Sequence, residues 1–414
     1  MKIEEISETS KFPVNNRMTA DKNQTFVKSQ HGKILKPCKK NIEMNGKIKL
    51  LAIVPSLYDT SPGQRFRLEQ WEPILRQKGV EITYAPFETE ELHKILYQTG
   101  NTLKKVKTVL QNMNNRRVEM SSLQDFDLVY VFREAAIFGP AMFEKKIARS
   151  GVPMIFDFDD AVFVAYKSPS NSYLSYLKYP KKTGLICRVS DWVMAGNDYL
   201  ADYAGQFNEC VTIVPTTIDT EKYMPKADYA KDKLVIGWSG SYSTAQYLDT
   251  VAGVFQELAE QRDFVFKVIG APKYDLDKVN VNAISWQSAT EVEDLMEMDI
   301  GIMPMPDDLW SQGKCGLKAL QYMALGIPTI CSPIGVNTKI IQDDKNGFLA
   351  ADKEEWIEKL NRLMDSVELR RKLGQSGRKT VEQEYSTKVI APKVFDIFNS
   401  LVKKEKPLRQ TASA

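Results

Sequence analysis

Apolar residues in this chain fall into short dense runs, separated by longer stretches with helical spacing. The first run, Ile48 to Pro55, is apolar at almost every position and follows polar residues. Such a run suits a strand buried on both faces, as in a parallel sheet. Similar runs recur at Val80 to Tyr84, Asp127 to Phe132, Pro153 to Asp160, within Asp191 to Leu200, where Asn197 is a candidate helix cap, and at Val211 to Pro215. They recur again at Lys233 to Gly237, Phe264 to Gly270, Asp299 to Met303 and Pro328 to Cys331. Between them the spacing predicts helices, among them Leu68 to Lys78, stopped by Gly79, and Thr244 to Gln261. Further helices are predicted over Glu354 to Leu363, Val367 to Glu384 and onward through Leu401. Strand, loop and helix in alternation mean an α/β fold with a parallel sheet. Because the plan restarts at Lys233, two Rossmann-like halves are expected.

Two stretches break this rhythm. Residues 1–46 carry few large apolar side chains and are predicted to form a disordered tail. The tail's basic cluster, Lys33, Lys36, Lys39 and Lys40, suits either solvent or an acidic surface. Glu90 to Met120 reads as a long basic helical region in which Lys94, Lys104, Lys105, Lys107, Arg116 and Arg117 interleave with Leu92, Leu96, Leu103, Val106, Val109 and Leu110. Such a helix either packs one face on its domain or lies on an anionic membrane surface.

Composition narrows the class. A length of 414 residues allows two domains, and 43% hydrophobic with 26% charged residues describes an ordinary globular protein. A net charge of +3 gives no argument for nucleic acid. No run reaches the roughly 18 apolar residues of a membrane-spanning helix. Residues 1–11 lack the apolar core of a signal peptide. Cys38, Cys187, Cys210, Cys315 and Cys331 are scattered, odd in number and without a C-x-x-C pair, which fits a reducing cytoplasm. Two histidines, His31 and His93, leave little for a histidine-based metal site or triad.

The candidate chemistry gathers in Gly313 to Pro328: a loop with two glycines, a short helix, a stop at Gly326 and a strand. Glycine lets backbone approach a ligand closely. The first turn of a helix offers unpaired N–H groups and a positive dipole end, suited to phosphate. With a helix starting near Lys314, Lys314, Lys318 and Gln321 share one face. A solvated lysine face on an ordinary amphipathic helix is the plainer reading of the same spacing. Arg65 and Arg67, near the first helix start, suit phosphate or a sugar acceptor, or simply cap a loop. In the strand ending Asp157-Phe158-Asp159-Asp160, alternation puts Asp157 and Asp159 on one face. Like charges so close raise at least one pKa, which marks functional sites, although such a strand end also serves as a helix cap.

Gly316-Leu317, Gln321-Tyr322-Met323-Ala324 and Gly326-Ile327-Pro328 together resemble the donor-site segment of retaining GT-B glycosyltransferases of the glycogen-synthase-like "group 1" family. Pro215 to Asp219 resembles that family's interdomain turn, and Asp343 to Leu349 its later Asn-Gly turn. The resemblance implies a GT-B fold, two Rossmann-like domains facing a central cleft. It implies an acceptor domain over 47–215, a nucleotide-sugar donor domain over 216–385, and a last helix, 386–402, that crosses back to the first domain. The implied activity is metal-independent transfer of a hexosyl group from a nucleotide-sugar to a glycan or lipid-linked acceptor, with retention and without a cofactor; the cysteine pattern places it in the cytoplasm, and the basic helical region allows the inner membrane face. Gly240, Ser241, Lys314 and Lys318 would hold the diphosphate, Gln321 the ribose, and Gly316 and Leu317 would offer backbone. Asp159, and with it Asp160, would face the acceptor or the developing positive charge on the sugar. The family's two glutamates fall here on Gly313 and Gln321, and its phosphate-gripping arginine and lysine on Ser241 and Gln246. Those exchanges keep a second reading open, a non-catalytic subunit that binds a sugar-nucleotide or glycan.

Overall fold

The computed structural model describes residues 47–96, 102–164, 179–231 and 233–403; the expected tail and its lysine cluster lie outside the described residues. The first half contributes β1 (Ile48–Val54), β2 (Val80–Pro86), β3 (Leu128–Phe132), β4 (Met154–Phe158), β5 (Trp192–Ala195) and β6 (Val211–Ile213). They form one sheet in the order β2-β1-β3-β4-β5-β6, parallel throughout. The second half contributes β7 (Leu234–Ser239), β8 (Phe264–Ile269), β9 (Val281–Ile284), β10 (Ile300–Met303), β11 (Thr329–Cys331) and β12 (Phe348–Leu349). Their order, β12-β11-β10-β7-β8-β9, is again parallel throughout. Helices cover both faces, so β3 and β4 are buried at every position, which is why their apolar runs do not alternate.

Each sheet reverses its winding once, between β1 and β3 in the first and between β7 and β10 in the second. In open α/β sheets, ligands bind outside the carboxyl ends of the strands at such a reversal. The last helix, Thr387–Val402, returns to the first sheet. Its Ile390, Ala391, Val394, Phe398 and Leu401 share a core with Leu50, Ala52, Leu68 and Trp71. Among the described residues no helix is long and apolar enough to cross a membrane.

Several elements depart from the sequence expectations. β9 was not predicted, because an edge strand with partly exposed positions and an asparagine carries no apolar run. Asn346-Gly347, an Asn-Gly pair of the kind that turns hairpins, does not join antiparallel strands: β12 runs parallel to β11. Instead the Asn346 amide donates to Ile340 O and Thr380 Oγ1, while its oxygen accepts from Gln342 N–H. The segment expected as one helix over Thr244 to Gln261 is a 3₁₀ stretch, Tyr242–Val251, running into an α-helix, Ala252–Ala259.

Arg67 is fully buried, and its Nε and NH2 groups donate to the two Asp157 oxygens at 2.6 and 2.5 Å. Its NH1 donates to Val214 O at 2.7 Å, and the Tyr130 hydroxyl also donates to Asp157. The segment after β1, two central strands and the exit from β6 are thus tied by one ion pair. Removing one member of a buried pair leaves the other charge unsolvated. Asp157→Asn is therefore expected to cost about 3 kcal/mol. The check is a urea titration, read as a lower midpoint at unchanged slope; an unmoved midpoint would show the pair to be dispensable.

Candidate active site

A cleft of about 980 Å³ opens where the two reversals face each other. The first half lines it with the loop after β1 (Ser56, Gly63), the exit of β3 (Arg133, Glu134) and the exit of β4 (Asp159, Asp160). The second half lines it with Gly240 and Ser241 after β7, Trp286 after β9, and Lys314, Gly316, Leu317, Lys318 and Gln321. The fold thus brings together nine of the eleven residues singled out in the sequence as Asp159, Asp160, Gly240, Ser241, Lys314, Gly316, Leu317, Lys318, Gln321, Arg65 and Arg67. Arg65 and Arg67 are not among the lining residues, because carboxylates occupy their guanidinium groups. Arg67 holds Asp157, and Arg65 holds Asp59 and Glu291.

The helix begins at Leu317, not near Lys314. Gly316 caps it in the left-handed region at φ 72°, and a Cβ there would lie 2.2 Å from Ile340 Cδ1. Glycine alone takes that conformation without strain. Lys314 therefore projects from the loop, Lys318 from the first turn and Gln321 from the next. Leu320 and Ala324 are fully buried behind them.

Charges meet across the cleft. Lys314 Nζ donates to Asp160 Oδ1 at 2.7 Å. Arg133 NH2 donates to Asp160 Oδ2, and Arg133 Nε to Asp159 Oδ1, each at 2.6 Å. Burial opposes ionisation of the Asp160 carboxyl, but Lys314 and Arg133 hold it below the ordinary carboxylate range. Burial likewise disfavours charge on Lys314, yet Asp160 raises its pKa above the ordinary lysine value. Lys318, over the Trp238 ring at 5.5 Å, is left differently. Burial and the neighbouring Lys314 charge pull its ammonium down to about 8.

Arg133 carried no role in the sequence analysis, although Arg-Glu at the exit of a central strand is a position from which side chains reach a cleft. It takes φ 57°, rare for a non-glycine residue, with its N–H on Asp157 O at 2.7 Å. Glu291, which the sequence analysis passed over, opens a short helix, Glu291–Met296, between β9 and β10. It accepts from Arg65 NH2 at 2.9 Å, Tyr223 OH at 2.6 Å and Trp286 Nε1 at 2.9 Å.

The exchanged family positions have local reasons. At Gly313 a Cβ would stand 2.6 Å from Ala161 Cβ and 2.7 Å from Ala161 N, so no side chain fits between the halves there. Asn197 Nδ2 closes the same contact by donating to Gln312 O and Lys314 O at 3.2 and 2.9 Å. Ser241 caps the 3₁₀ turn in a reciprocal box with Thr244, and Gln246 donates to Ser243 O. Among the described residues no group of three His, Cys, Asp or Glu is arranged to hold a metal ion.

With this geometry in view, residues 219–380 match the family model of glycosyl transferases group 1. Sucrose-phosphate synthase from Thermosynechococcus elongatus superposes with a TM-score of 0.63 at 14% identity, over 85% of this chain and 99% of that one. Alr3699/HepE of Anabaena, in complex with UDP and glucose, superposes with a TM-score of 0.58 at 11% identity, over 85% of this chain and 100% of that one. Spore coat protein SA of Bacillus subtilis is 22% identical over 278 residues, 58% of this chain and 72% of that protein. The fold is GT-B, and the match to the group 1 glycosyl transferase model falls within its second half.

An anion with two phosphates entering this cleft meets Lys318 when that ammonium is charged. Above its acid constant near 8 the side chain is neutral, so anion binding weakens as pH rises. Affinity for a nucleoside diphosphate is expected to drop about tenfold between pH 7.5 and 9, since each unit above the free acid constant costs up to a decade. Isothermal titration reads this directly. In Lys318→Arg, which stays charged, the drop should vanish; a flat wild-type profile would take Lys318 out of anion binding.

Proposed function

We propose that this protein is a glycosyltransferase that binds a nucleotide-sugar in the cleft and passes the sugar, with retention of configuration, to a glycan or lipid-linked acceptor. The observation that carries this reading is the placement of Lys314, Lys318 and the start of helix Leu317–Ala324 on one wall, opposite Asp159 and Asp160. A leaving diphosphate needs its charge met by cations and N–H groups. Lys314, moving from Asp160 to a phosphate oxygen, and Lys318 supply that charge without a metal. Gly240, Ser241, Gly316 and Leu317 add backbone and hydroxyl donors. Asp159, fixed by Arg133, faces the acceptor or the positive charge growing on the sugar, and the first half holds the acceptor in line. Retention and a hexosyl donor rest on the family resemblance. The UDP and glucose held by the Anabaena neighbour make a uridine nucleotide the first probe.

A thermal-shift titration with UDP, GDP, ADP and their sugar conjugates tests the donor. One nucleotide family should raise the melting point, because a ligand of the folded state stabilises by mass action, and EDTA should not change the shift. No shift with any nucleotide would leave a glycan-binding subunit instead. In Asp159→Asn, turnover should fall by roughly 10²-fold while nucleotide affinity is retained. Normal turnover in that variant would remove Asp159 from the chemistry.

We further place the acceptor side against an anionic membrane at the inner, cytoplasmic face. The basic region forms helices Glu90–Leu96 and Thr102–Glu119, with 97–101 outside the described residues. Helix Thr102–Glu119 turns polar residues inward: Lys105, Thr108, Asn112 and Arg116 are buried. Arg116 braces the exits of β2 and β3 through Ala85 O and Ala135 O. Leu103, 89% exposed, and Val106, Leu110 and Val118 face outward beside exposed Lys104, Lys107 and Arg117. An apolar face flanked by cations suits a lipid surface, each cation adding about 1 kcal/mol. Sedimentation with phosphatidylcholine vesicles should show binding only when phosphatidylglycerol is added. Replacing Leu103 and Leu110 by Asp should abolish it; equal recovery of both proteins would refute the placement.

A further inference from the structure

Gln321 stands where the resembled family has a glutamate, and a glutamine side chain can present either of two faces. Its oxygen accepts hydrogen bonds, its nitrogen donates them, and a half-turn of the amide exchanges the two. In this structure the amide nitrogen donates to Glu291 Oε1 at 3.2 Å and to the Tyr223 hydroxyl at 3.4 Å. Glu291 accepts without donating, because it is held ionised by its surroundings. Burial opposes the charge, but Arg65, Tyr223 and Trp286 together keep its carboxyl below the ordinary range. The Tyr223 proton is committed to Glu291 Oε2 at 2.6 Å, so towards Gln321 this hydroxyl can only accept. A flipped amide would bring its oxygen against the carboxylate and the phenol lone pairs, with no proton between them. Both protein hydrogen bonds of the amide therefore run through nitrogen. The oxygen is the atom left for the cleft, which Gln321 lines while only 3% exposed.

We infer that Glu291 is a positioning residue that locks Gln321 as a hydrogen-bond acceptor, so that this cleft selects nucleotides with free ribose hydroxyls. The lock restores with an amide what a carboxylate offers without orientation, two lone pairs facing a sugar diol. Arg65 completes it from the other half of the molecule. Its NH1 and NH2 reach Glu291 at 3.3 and 2.9 Å, and its Nε reaches Asp59 at 2.6 Å. The selecting carboxylate is thus set by both halves together. This inference rests on the nucleotide-sugar reading, in which the resemblance gives Gln321 the ribose, and it adds Glu291 as the residue that orients that amide.

The experiment compares, by isothermal titration, the nucleoside diphosphate that binds best with its 2′,3′-dideoxy analogue. The wild-type protein should prefer the ribonucleotide by about tenfold or more, as sites built to bond a hydroxyl do. In Glu291→Gln the new amide can satisfy a flipped Gln321, and the preference should shrink to about twofold, while both analogues still bind through the diphosphate. In the exchange variant, Glu291→Gln with Gln321→Glu, the acceptor is a carboxylate again and the preference should return. A purely structural role predicts that both analogues weaken together at constant ratio, and that outcome overturns the inference. If Glu291→Gln does not fold, Gln321→Met, which keeps the Arg65–Glu291 pair, must lose the preference; if it keeps it, the inference fails. Failure of the wild type to bind any nucleoside diphosphate would strike the functional reading itself, a result distinct from a constant ratio.

Discussion

Asp160 is the hinge of the charge arrangement in this protein. It receives Arg133 from its own half and Lys314 from the other, so one carboxylate couples the two halves inside the cleft. Two cations this close in a partly buried cleft would repel and lose water together. Asp160 lets them stand without a ligand. On the proposed reading, an incoming diphosphate, with more negative charge than one carboxylate, would take Lys314 over while Arg133 keeps both aspartates in place. Positive charge is thereby stored at the site without being left bare.

Two further buried ion pairs play different parts. The Arg67–Asp157 pair is sealed in the first half, and it fixes how the segment after β1 meets β4. The Arg65–Glu291 pair, also buried, joins the two halves and sits beside Gln321 and Trp286. Both arginines come from the same turn, Arg65–Glu69, and their opposite destinations follow from which carboxylate each meets. Closeness of the halves also explains Gly313: with Ala161 against it, that position has no room for the glutamate of the resembled family. Among the glutamates that line this cleft, Glu291 stands beside Gln321, on a different helix.

How much could be read without coordinates depended on whether a feature was local. The apolar runs located all strands except the edge strands β9 and β12, because burial on both faces demands apolar residues at successive positions. Both edge strands were missed as strands for the same reason: a partly exposed β9 and a two-residue β12 bury too little to leave a pattern. The glycine loop and helix start at 313–328 were legible because a left-handed cap and an unpaired first turn are set by neighbouring residues. The helix boundary was misplaced by a few residues, which separated Lys314 from the face it was expected to share.

The sequence by itself determined the α/β class, the duplication of the strand–loop–helix plan, the loop that carries Lys314 and Lys318, and the aspartates at the end of β4. These follow from periodicity and from residue types acting over a few positions. Only the tertiary structure decided the partners: that Arg65 and Arg67 turn to carboxylates, that Arg133 grips Asp159 and Asp160, and that Glu291 orients Gln321. Those contacts join residues up to 226 positions apart. No short-range pattern encodes them, because they exist only once two sheets face each other and buried charges must find the nearest opposite charge.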